Sequence, residues 1–384
     1  MQWVATTGYA LEGVLSREIK ELGFQVLDTQ TSRVAFEGDW EEAASACLWL
    51  RTAGHVRMVA GTFSADSFEA LFEGTRGIRW DQWLPRNAAF PVTARAINAQ
   101  LMSVPDIQSI VKRAVVEGLK RRYPQTWFPE DGPVFPIEAH IWKDKVTLSI
   151  DLCGDPLHKR GYRALNGPAA LRETLAASMV RLSRWSAQRP FWDPCCGTGT
   201  LPVEAAMIGR KLAPGANRSF LAEAWNAMPP VAWRKAREHA RDAAEPQRKL
   251  EIFASDRDPE ALRMARYHAK AANVTDTIRF EQKEVASVRV SQPYGHFIVN
   301  PPYGERLEDK QNAEAIIRAL GEMHKRAESW SCHVISPHPA FERTFGVKAT
   351  YRPALYNGNL PCHYFQFMGP RPPRKQDDGA EPED

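Results

Sequence analysis

"PFWDPCCGTGTLPVEAAMIG", residues 190–209, decides the architecture of the C-terminal half of this chain. A short apolar run of strand character ends on Asp193, Gly197 and Gly199 follow, and an apolar helix begins at once. Glycines at such a turn remove side chains where the backbone must bend tightly and approach a ligand closely. A dinucleotide fold would carry a third glycine, as G-x-G-x-x-G, and a phosphate-binding P-loop would carry Gly-Lys-Ser/Thr. Neither is here, which disfavours a nicotinamide site and, more strongly, a nucleoside triphosphate site. Alone, the paired glycines mark a tight turn as readily as a binding site.

Outward from this stretch, strand, turn and helix recur in "LEIFASDRDPEALRMARYHAKAANV" (250–274), and another buried run opens "HFIVNPPYGERL" (296–307). Alternation of this kind over residues 166–370 predicts an α/β, Rossmann-like domain with a doubly wound, mostly parallel sheet. Ligands of such sheets lie beyond the carboxyl ends of the strands. Asp193, Asp256, Glu284 and Asn300 stand in that row. Asp256 is suited to accept both hydroxyls of a ribose. Asp258, followed by Pro259, has the form of a helix cap and first turn. Glu284, near the close of "TIRFEQKEV" (277–285), suits an adenine edge or amine, or is simply a surface glutamate.

In "FIVNPPY" the two prolines hold the backbone away from helix and leave carbonyls without competing local N–H donors. Asn300 Oδ1 and the Pro301 carbonyl can then accept both protons of an exocyclic amine, whose lone pair is directed at an electrophile. Pro302 completes the rigid turn, and Tyr303 offers a flat face on which an extruded base can stack. Asn-Pro by itself reads as a turn that ends a strand. Asn-Pro-Pro-Tyr after an apolar strand, downstream of the glycine turn and an acidic second strand, reads as a site. Asn300, Pro301, Pro302 and Tyr303 are therefore the catalytic candidates.

The rest of the chain narrows the class. Its 384 residues exceed one ordinary core and predict two or three domains. Hydrophobic residues at 43% and charged residues at 25% are the usual globular balance, which excludes a largely disordered chain. The N-terminus has no basic stretch leading into an apolar run, and no segment approaches the length of a bilayer span, so a cytoplasmic protein without a membrane partner is expected. Cys47, Cys153, Cys195, Cys196, Cys332 and Cys362 show no C-x-x-C pairing, so neither a zinc ribbon nor a disulfide framework is indicated, and no metal is expected. The net charge of +4 is modest, but Asp377, Asp378, Glu381, Glu383 and Asp384 crowd the end of the chain. What precedes them is more basic and permits a polyanionic partner.

Residues 1–155 read as α+β: strands "QWVATT" and "RVAFEG" flank the helix "ALEGVLSREIKELG", and the helix "DWEEAASACLWLRT" follows. From about residue 60 a second unit has strands "HVRMVAGTF" and "AFPVTARAI", helices "DSFEALFEGTRGI" and "VPDIQSIVKRAVVEGLKRRY", and the hairpin "VFPIEAHIWKDKVTLSIDL". In the longer helix, Ile107, Ile110, Val111, Ala114 and Val115 share a face, while Arg113, Glu117 and Lys120 form a solvated one. Gly, Pro and basic residues in "GDPLHKRGYRALNGPAA" mark a linker at 156–165, where Lys159, Arg160 and Arg163 are candidate phosphate contacts. Residues 371–384, Pro-rich and charged, predict a disordered tail.

At the glycine turn and Asn-Pro-Pro-Tyr, the chain resembles S-adenosylmethionine-dependent methyltransferases of exocyclic amines. "LHKRGYR", "LRETLAASMV", "LAPGANRSFLAEAW", "NPPYGERL" and "LYNGNLPCHYFQF" extend the match over residues 157–367. They make it similar to the bacterial THUMP-domain RNA guanine-N(2)-methyltransferases, above all to the N-terminal half of the large-subunit rRNA enzyme. The resemblance implies a class I methyltransferase domain at 166–370, preceded by a ferredoxin-like domain at 1–60 and a THUMP RNA-binding domain at 61–155. It implies S-adenosyl-L-methionine as cofactor, contacted by Asp193, Cys196, Gly197, Thr198, Gly199, Asp256, Glu284 and Asn300. The implied partner is RNA, 23S rRNA ahead of tRNA, gripped by the N-terminal part, with the chain a monomer or weak homodimer.

No general base or metal is then required, because the methyl donor is a sulfonium and the alkylated amine loses its proton to solvent. An adenine methyltransferase acting on DNA would use Asn-Pro-Pro-Tyr equally well, but the N-terminal region and "APGANRSF" argue against it. An RNA-binding protein that kept only the shell of the enzyme is disfavoured by the intact Asp193, glycines, Asp256 and Asn300. Two residues depart from many relatives: Cys195, and Glu284 in place of aspartate, which leaves its adenine contact open. Cys195 and Cys196 have no histidine placed to activate them and read as small packing residues.

Overall fold

The computed structural model describes residues 1–163, 171–304 and 307–373. The end of the expected linker, Glu305 and Arg306 of the Asn-Pro-Pro-Tyr segment, and the tail from residue 374 lie outside the described residues. The chain divides into two compact units, one built from residues 1–163, 172–178 and 210–247, the other from the rest.

In the first unit the elements follow in the order β1 (Gln2–Thr6), α1 (Glu12–Glu21), β2 (Gln25–Gln30), β3 (Arg33–Glu37), α2 (Trp40–Trp49), β4 (His55–Ser64), α3 (Phe68–Gly77), β5 (Val92–Ile97), α4 (Val104–Lys120), β6 (Ile137–Trp142) and β7 (Lys145–Asp151). One seven-stranded sheet, β2-β3-β1-β4-β7-β6-β5, runs through all of them. Period-two alternation puts Ile137, Ala139 and Ile141 of β6 and Val146, Leu148 and Ile150 of β7 into the core. Helix α4 buries Ile107, Val111, Ala114 and Val115 as its periodicity predicts, while Ile110 is half-buried. On its other side Lys120 pairs with Glu117 at 2.7 Å, and Arg113 lies over the Phe72 ring.

Three features of this unit depart from the sequence reading. Strand β2 went unnoticed because it is a mostly exposed edge strand without apolar alternation. The expected boundary at 60–61 falls inside β4, which pairs with β1 on one side and β7 on the other, so no linker separates the two halves. The segment 210–247, which the sequence reading groups with residues 166–370, packs with this unit. Its Gly215 amide donates to the Leu48 carbonyl at 2.9 Å and its Ala222 amide to the Leu152 carbonyl at 3.1 Å. Trp225 stacks on Phe135 with centroids 4.6 Å apart. A Cβ on Gly215 would meet the Cys47 carbonyl oxygen at 2.8 Å, so glycine alone permits this approach.

The second unit includes β8 (Phe191–Asp193), α6 (Thr200–Gly209), β9 (Ile252–Asp256), α8 (Pro259–Ala271), β10 (Ile278–Gln282), β11 (His296–Val299), α9 (Leu307–Arg326), β12 (Ser331–Ser336), α10 (Phe341–Phe345), β13 (Ala354–Asn357) and β14 (Leu360–Phe367). Helices α5 (Glu173–Leu182) and α7 (Pro230–Asp242) complete the chain, α7 lying against α2 in the first unit. The sheet order is β10-β9-β8-β11-β12-β14-β13, with β8 to β12 parallel and β14 antiparallel to both neighbours. This is the doubly wound, mostly parallel sheet expected. The chain leaves β8 for β9 and β10 on one side, then crosses to β11 on the other. A reversal of this kind opens a crevice at the carboxyl ends of the two central strands.

Two buried histidines stack side by side within this sheet, His296 of β11 and His333 of β12, with centroids 5.5 Å apart. Burial, aided by Arg189, pulls the His296 imidazole down to about 4, and burial beside His296 and His324 pulls His333 well below its ordinary range. Because both folded values lie below the unfolded one, the unfolded chain takes up protons first as pH falls. Stability should therefore be full above about pH 6.5 and decline below it by about 1.4 kcal/mol per pH unit for each histidine, down to about pH 4 for His296. Urea midpoints between pH 7 and 4.5 check this, and His296→Leu should flatten the curve.

Candidate active site

Asp193 ends β8, Asp256 ends β9 and Asn300 follows β11 directly, so three strand ends deliver three polar side chains to one crevice. They line a cavity of about 610 Å³, within the range of small-molecule sites. Cys196, Gly197, Thr198, Glu284, Pro301, Pro302 and Tyr303 line it as well. Of the residues expected there, Gly199 alone is not part of the wall. It adopts φ +84°, and a Cβ on it would meet the Ala265 Cβ at 2.9 Å, so it lets α8 pack against the turn.

Gly197 is the ligand-facing glycine: it lies at φ +50°, and the space its missing Cβ would occupy is open. Its amide donates to Asp256 Oδ2 at 2.8 Å, while Oδ1 accepts the Asp258 amide at 3.0 Å. Each carboxylate oxygen thus spends one lone pair on backbone and keeps another for a ligand hydroxyl. Asp258 caps α8 by accepting the Glu260 amide at 2.9 Å, with Pro259 in the first turn, as its sequence indicates. The Thr198 carbonyl is held by His268 Nδ1 at 2.9 Å, a brace the sequence reading missed because His268 lies 70 residues away on α8.

Asp193 is buried and accepts one hydrogen bond, from the Cys195 amide at 3.1 Å. Burial pushes its carboxyl well above the ordinary range, the Asp256 charge adds to this, and the Cys195 amide opposes it. A positively charged ligand in the cavity would relieve that penalty. The sulfonium and ammonium of S-adenosylmethionine have the required sign, so the residues present fit this cofactor. Burial also raises the Cys195 and Cys196 thiols well above their usual range, with Asp193 and Asp256 adding to it. Both remain protonated at neutral pH, consistent with packing and not with a nucleophile.

Two placements refine the sequence reading. Strand β10 ends at Gln282, earlier than expected, and Glu284 stands beyond it as an exposed residue opening a short 3-10 turn, though still on the cavity wall. The Tyr303 hydroxyl is engaged: it donates to Asn300 Oδ1 at 2.6 Å and accepts from Asn357 Nδ2 at 3.1 Å. Lys283, Arg257 and Asn312 also line the cavity and were not foreseen; Lys283 pairs with Glu281 at 2.6 Å and Arg257 donates to Asn312 at 3.4 Å. Among the described residues, the one group whose metal-binding atoms lie within reach of each other is His55, Asp151 and Cys153 in the first unit, where His55 Nδ1 and Asp151 Oδ2 are 2.6 Å apart. None of the three lines the cavity. No helix among the described residues is long and apolar enough to cross a membrane.

A model of the RMKL-like methyltransferase domain matches residues 160–366, one of the RlmL ferredoxin-like domain matches 2–57, and one of the THUMP domain matches 65–151. YpsC of Bacillus subtilis, named as an RNA methyltransferase, is 38% identical over 98% of each chain. The ribosomal RNA large subunit methyltransferase K/L of Syntrophotalea carbinolica is 31% identical over 96% of this chain, which spans 53% of that longer protein. A Listeria monocytogenes structure described as an N6-adenine-specific DNA methylase has 41% identity and a TM-score of 0.91, covering 96% of each chain. SMU.472, a methyltransferase solved with SAH, has 35% identity and a TM-score of 0.90, covering 97% of this chain and 99% of its own. With its methyltransferase model covering more than half of the sequence and YpsC matching nearly end to end, this chain belongs to the RMKL-like, THUMP-bearing family of S-adenosyl-L-methionine-dependent RNA methyltransferases.

Proposed function

We propose that the chain methylates the exocyclic N(2) amine of a guanine, with 23S rRNA as its substrate. The observation that carries this reading is the position of Asn300, which lines the cavity shared with Asp193 and Asp256. S-adenosylmethionine, when bound, supplies a methyl group on a positively charged sulfur. Asp256 binds the ribose hydroxyls, and Asp193 with the Cys196–Gly199 turn holds the methionine part. Asn300 Oδ1 and the Pro301 carbonyl accept the two amine protons. Pro301 is buried, and Pro302 fixes the backbone that follows it. The amine of a guanine is a weak nucleophile because its lone pair is shared with the ring, so fixing both N–H bonds directs the remaining electron density at the methyl carbon. Positioning and polarisation, without a general base, are the contribution of the protein.

Support for large-subunit rRNA comes from the similarity to the K/L enzyme, support for RNA over DNA from the THUMP match, and guanine from the family resemblance carried by the sequence motifs. A tRNA guanine is the second reading, since the same amine-holding residues serve either folded RNA. Labelled S-adenosylmethionine offered with 23S rRNA, 16S rRNA and tRNA from cells lacking the protein, followed by nucleoside analysis, should give N(2)-methylguanosine in 23S rRNA. Label in tRNA alone would replace the substrate, and methyladenine would overturn the guanine assignment.

Two substitutions divide the site. Asn300→Ala should lower kcat about 100- to 1,000-fold, as loss of a transition-state contact does, with cofactor Kd nearly unchanged. Asp256→Ala should weaken cofactor binding about 10- to 100-fold, the range for losing charge-assisted hydrogen bonds, as read by calorimetry.

A further inference from the structure

Asparagine is an ambiguous catalytic group, because its two ends differ by a 180° flip about χ2 and only the oxygen can accept from an amine. Asn300 turned the other way would present N–H to N–H. What orients it is a chain of side chains that starts outside the Asn-Pro-Pro-Tyr motif. The Tyr303 hydroxyl has one proton and donates it to Asn300 Oδ1 at 2.6 Å, which leaves the second lone pair of that oxygen for the target amine. The direction of that proton is decided one step further out. Asn357 Nδ2, which can only donate, reaches the same hydroxyl at 3.1 Å and takes an acceptor position on it.

The backbone places the Asn357 side chain beside that hydroxyl. It is the last residue of β13, paired with Leu360 across the two-residue turn Gly358–Asn359, and Gly358 supplies the required φ of +63°. Strand β13 is held along β14 through Leu355 and Cys362. Cys362 Sγ is within hydrogen-bonding reach of the Tyr303 hydroxyl and directs its own proton to the Leu360 carbonyl at 3.6 Å, leaving Asn300 Oδ1, a far stronger acceptor than a thiol sulfur, as the target of the tyrosine proton. Burial drives the Tyr303 hydroxyl to a higher pKa, so it keeps its proton at neutral pH.

We propose that Asn357 is a positioning residue for methyl transfer, setting the polarity of the relay Asn357 to Tyr303 to Asn300 so that Asn300 presents oxygen to the amine. The inference rests on the amine-holding role of Asn300 proposed above. Aspartate at 357 has the same shape but only accepts. It would draw the Tyr303 proton toward itself, leave a lone pair facing Asn300 and favour the flipped amide. Alanine at 357 merely deletes one bond.

The test compares Asn357→Asp and Asn357→Ala in the full chain for kcat and for S-adenosylmethionine Kd. Asn357→Ala should lower kcat about tenfold or less, and Asn357→Asp about 100-fold, with Kd within about twofold in both. A hairpin residue with only a structural role would give the opposite order, since aspartate preserves its shape, and that order would overturn the proposal. In a Tyr303→Phe background the Asn357→Asp change should add almost nothing; a full additional loss there would also overturn it. If Asn357→Asp loses cofactor binding, the cycle of Asn357→Ala with Tyr303→Phe decides, non-additive losses supporting the relay and additive losses refuting it. Activity surviving in Asn300→Ala would instead defeat the amine-holding reading. Inactive Asn300→Ala beside fully active Asn357→Asp would defeat the relay alone.

Discussion

The Gly197 amide donates to Asp256 Oδ2 at 2.8 Å, and the arrangement of the site depends on that bond. It ties the turn after β8 to the end of β9, so the ligand-facing glycine and the carboxylate suited to a ribose are held as one piece. The Cys196 amide, donating to the Ser255 carbonyl at 3.0 Å, repeats the tie one residue back. His268 braces the outer side of the turn through the Thr198 carbonyl, and Gly199 lets α8 come close enough for that brace to reach. A turn fixed at both ends costs little reorganisation when it receives a ligand.

Charge bears on what the site can hold. Asp193 and Asp256 line the same cavity, and burial disfavours the Asp193 carboxylate, so a cationic ligand would favour its charged form. Of the cations on the wall, Lys283 pairs with Glu281, while Arg257 donates to the neutral Asn312. A cofactor that carries its charge on sulfur therefore matches the wall, while the neutral acceptors at Asn300 and Pro301 match an uncharged amine.

The first unit follows a different constraint. A single sheet crosses the region where the sequence divides into a ferredoxin-like and a THUMP part, because β4 pairs with strands of both. Residues 210–247 add Phe220, Trp225 and Trp233 to the core beneath that sheet. Neither part has a complete apolar core without the other, so the unit is expected to unfold as one cooperative block.

Much of this was legible in the sequence. Apolar runs ending in Asp193, Asp256 and Asn300, the glycine turn, and the Asp258-Pro259 cap are local signals, each written within a few residues, and local backbone preference is enough to read them. The alternation of strands and helices likewise determined a doubly wound sheet, and with it the edge at which the site lies. Pairings between distant residues were not legible. His268 meets Thr198, Asn357 meets Tyr303, and residues 210–247 meet α2 and Leu152 only because the folded chain brings them together. Exposed β2 lacks the apolar pattern that would announce it. The sequence by itself determined which side chains stand at the strand ends, since that follows from periodicity. Only the tertiary structure decided how each is oriented and braced, since a hydrogen bond between residues dozens of positions apart leaves no local trace.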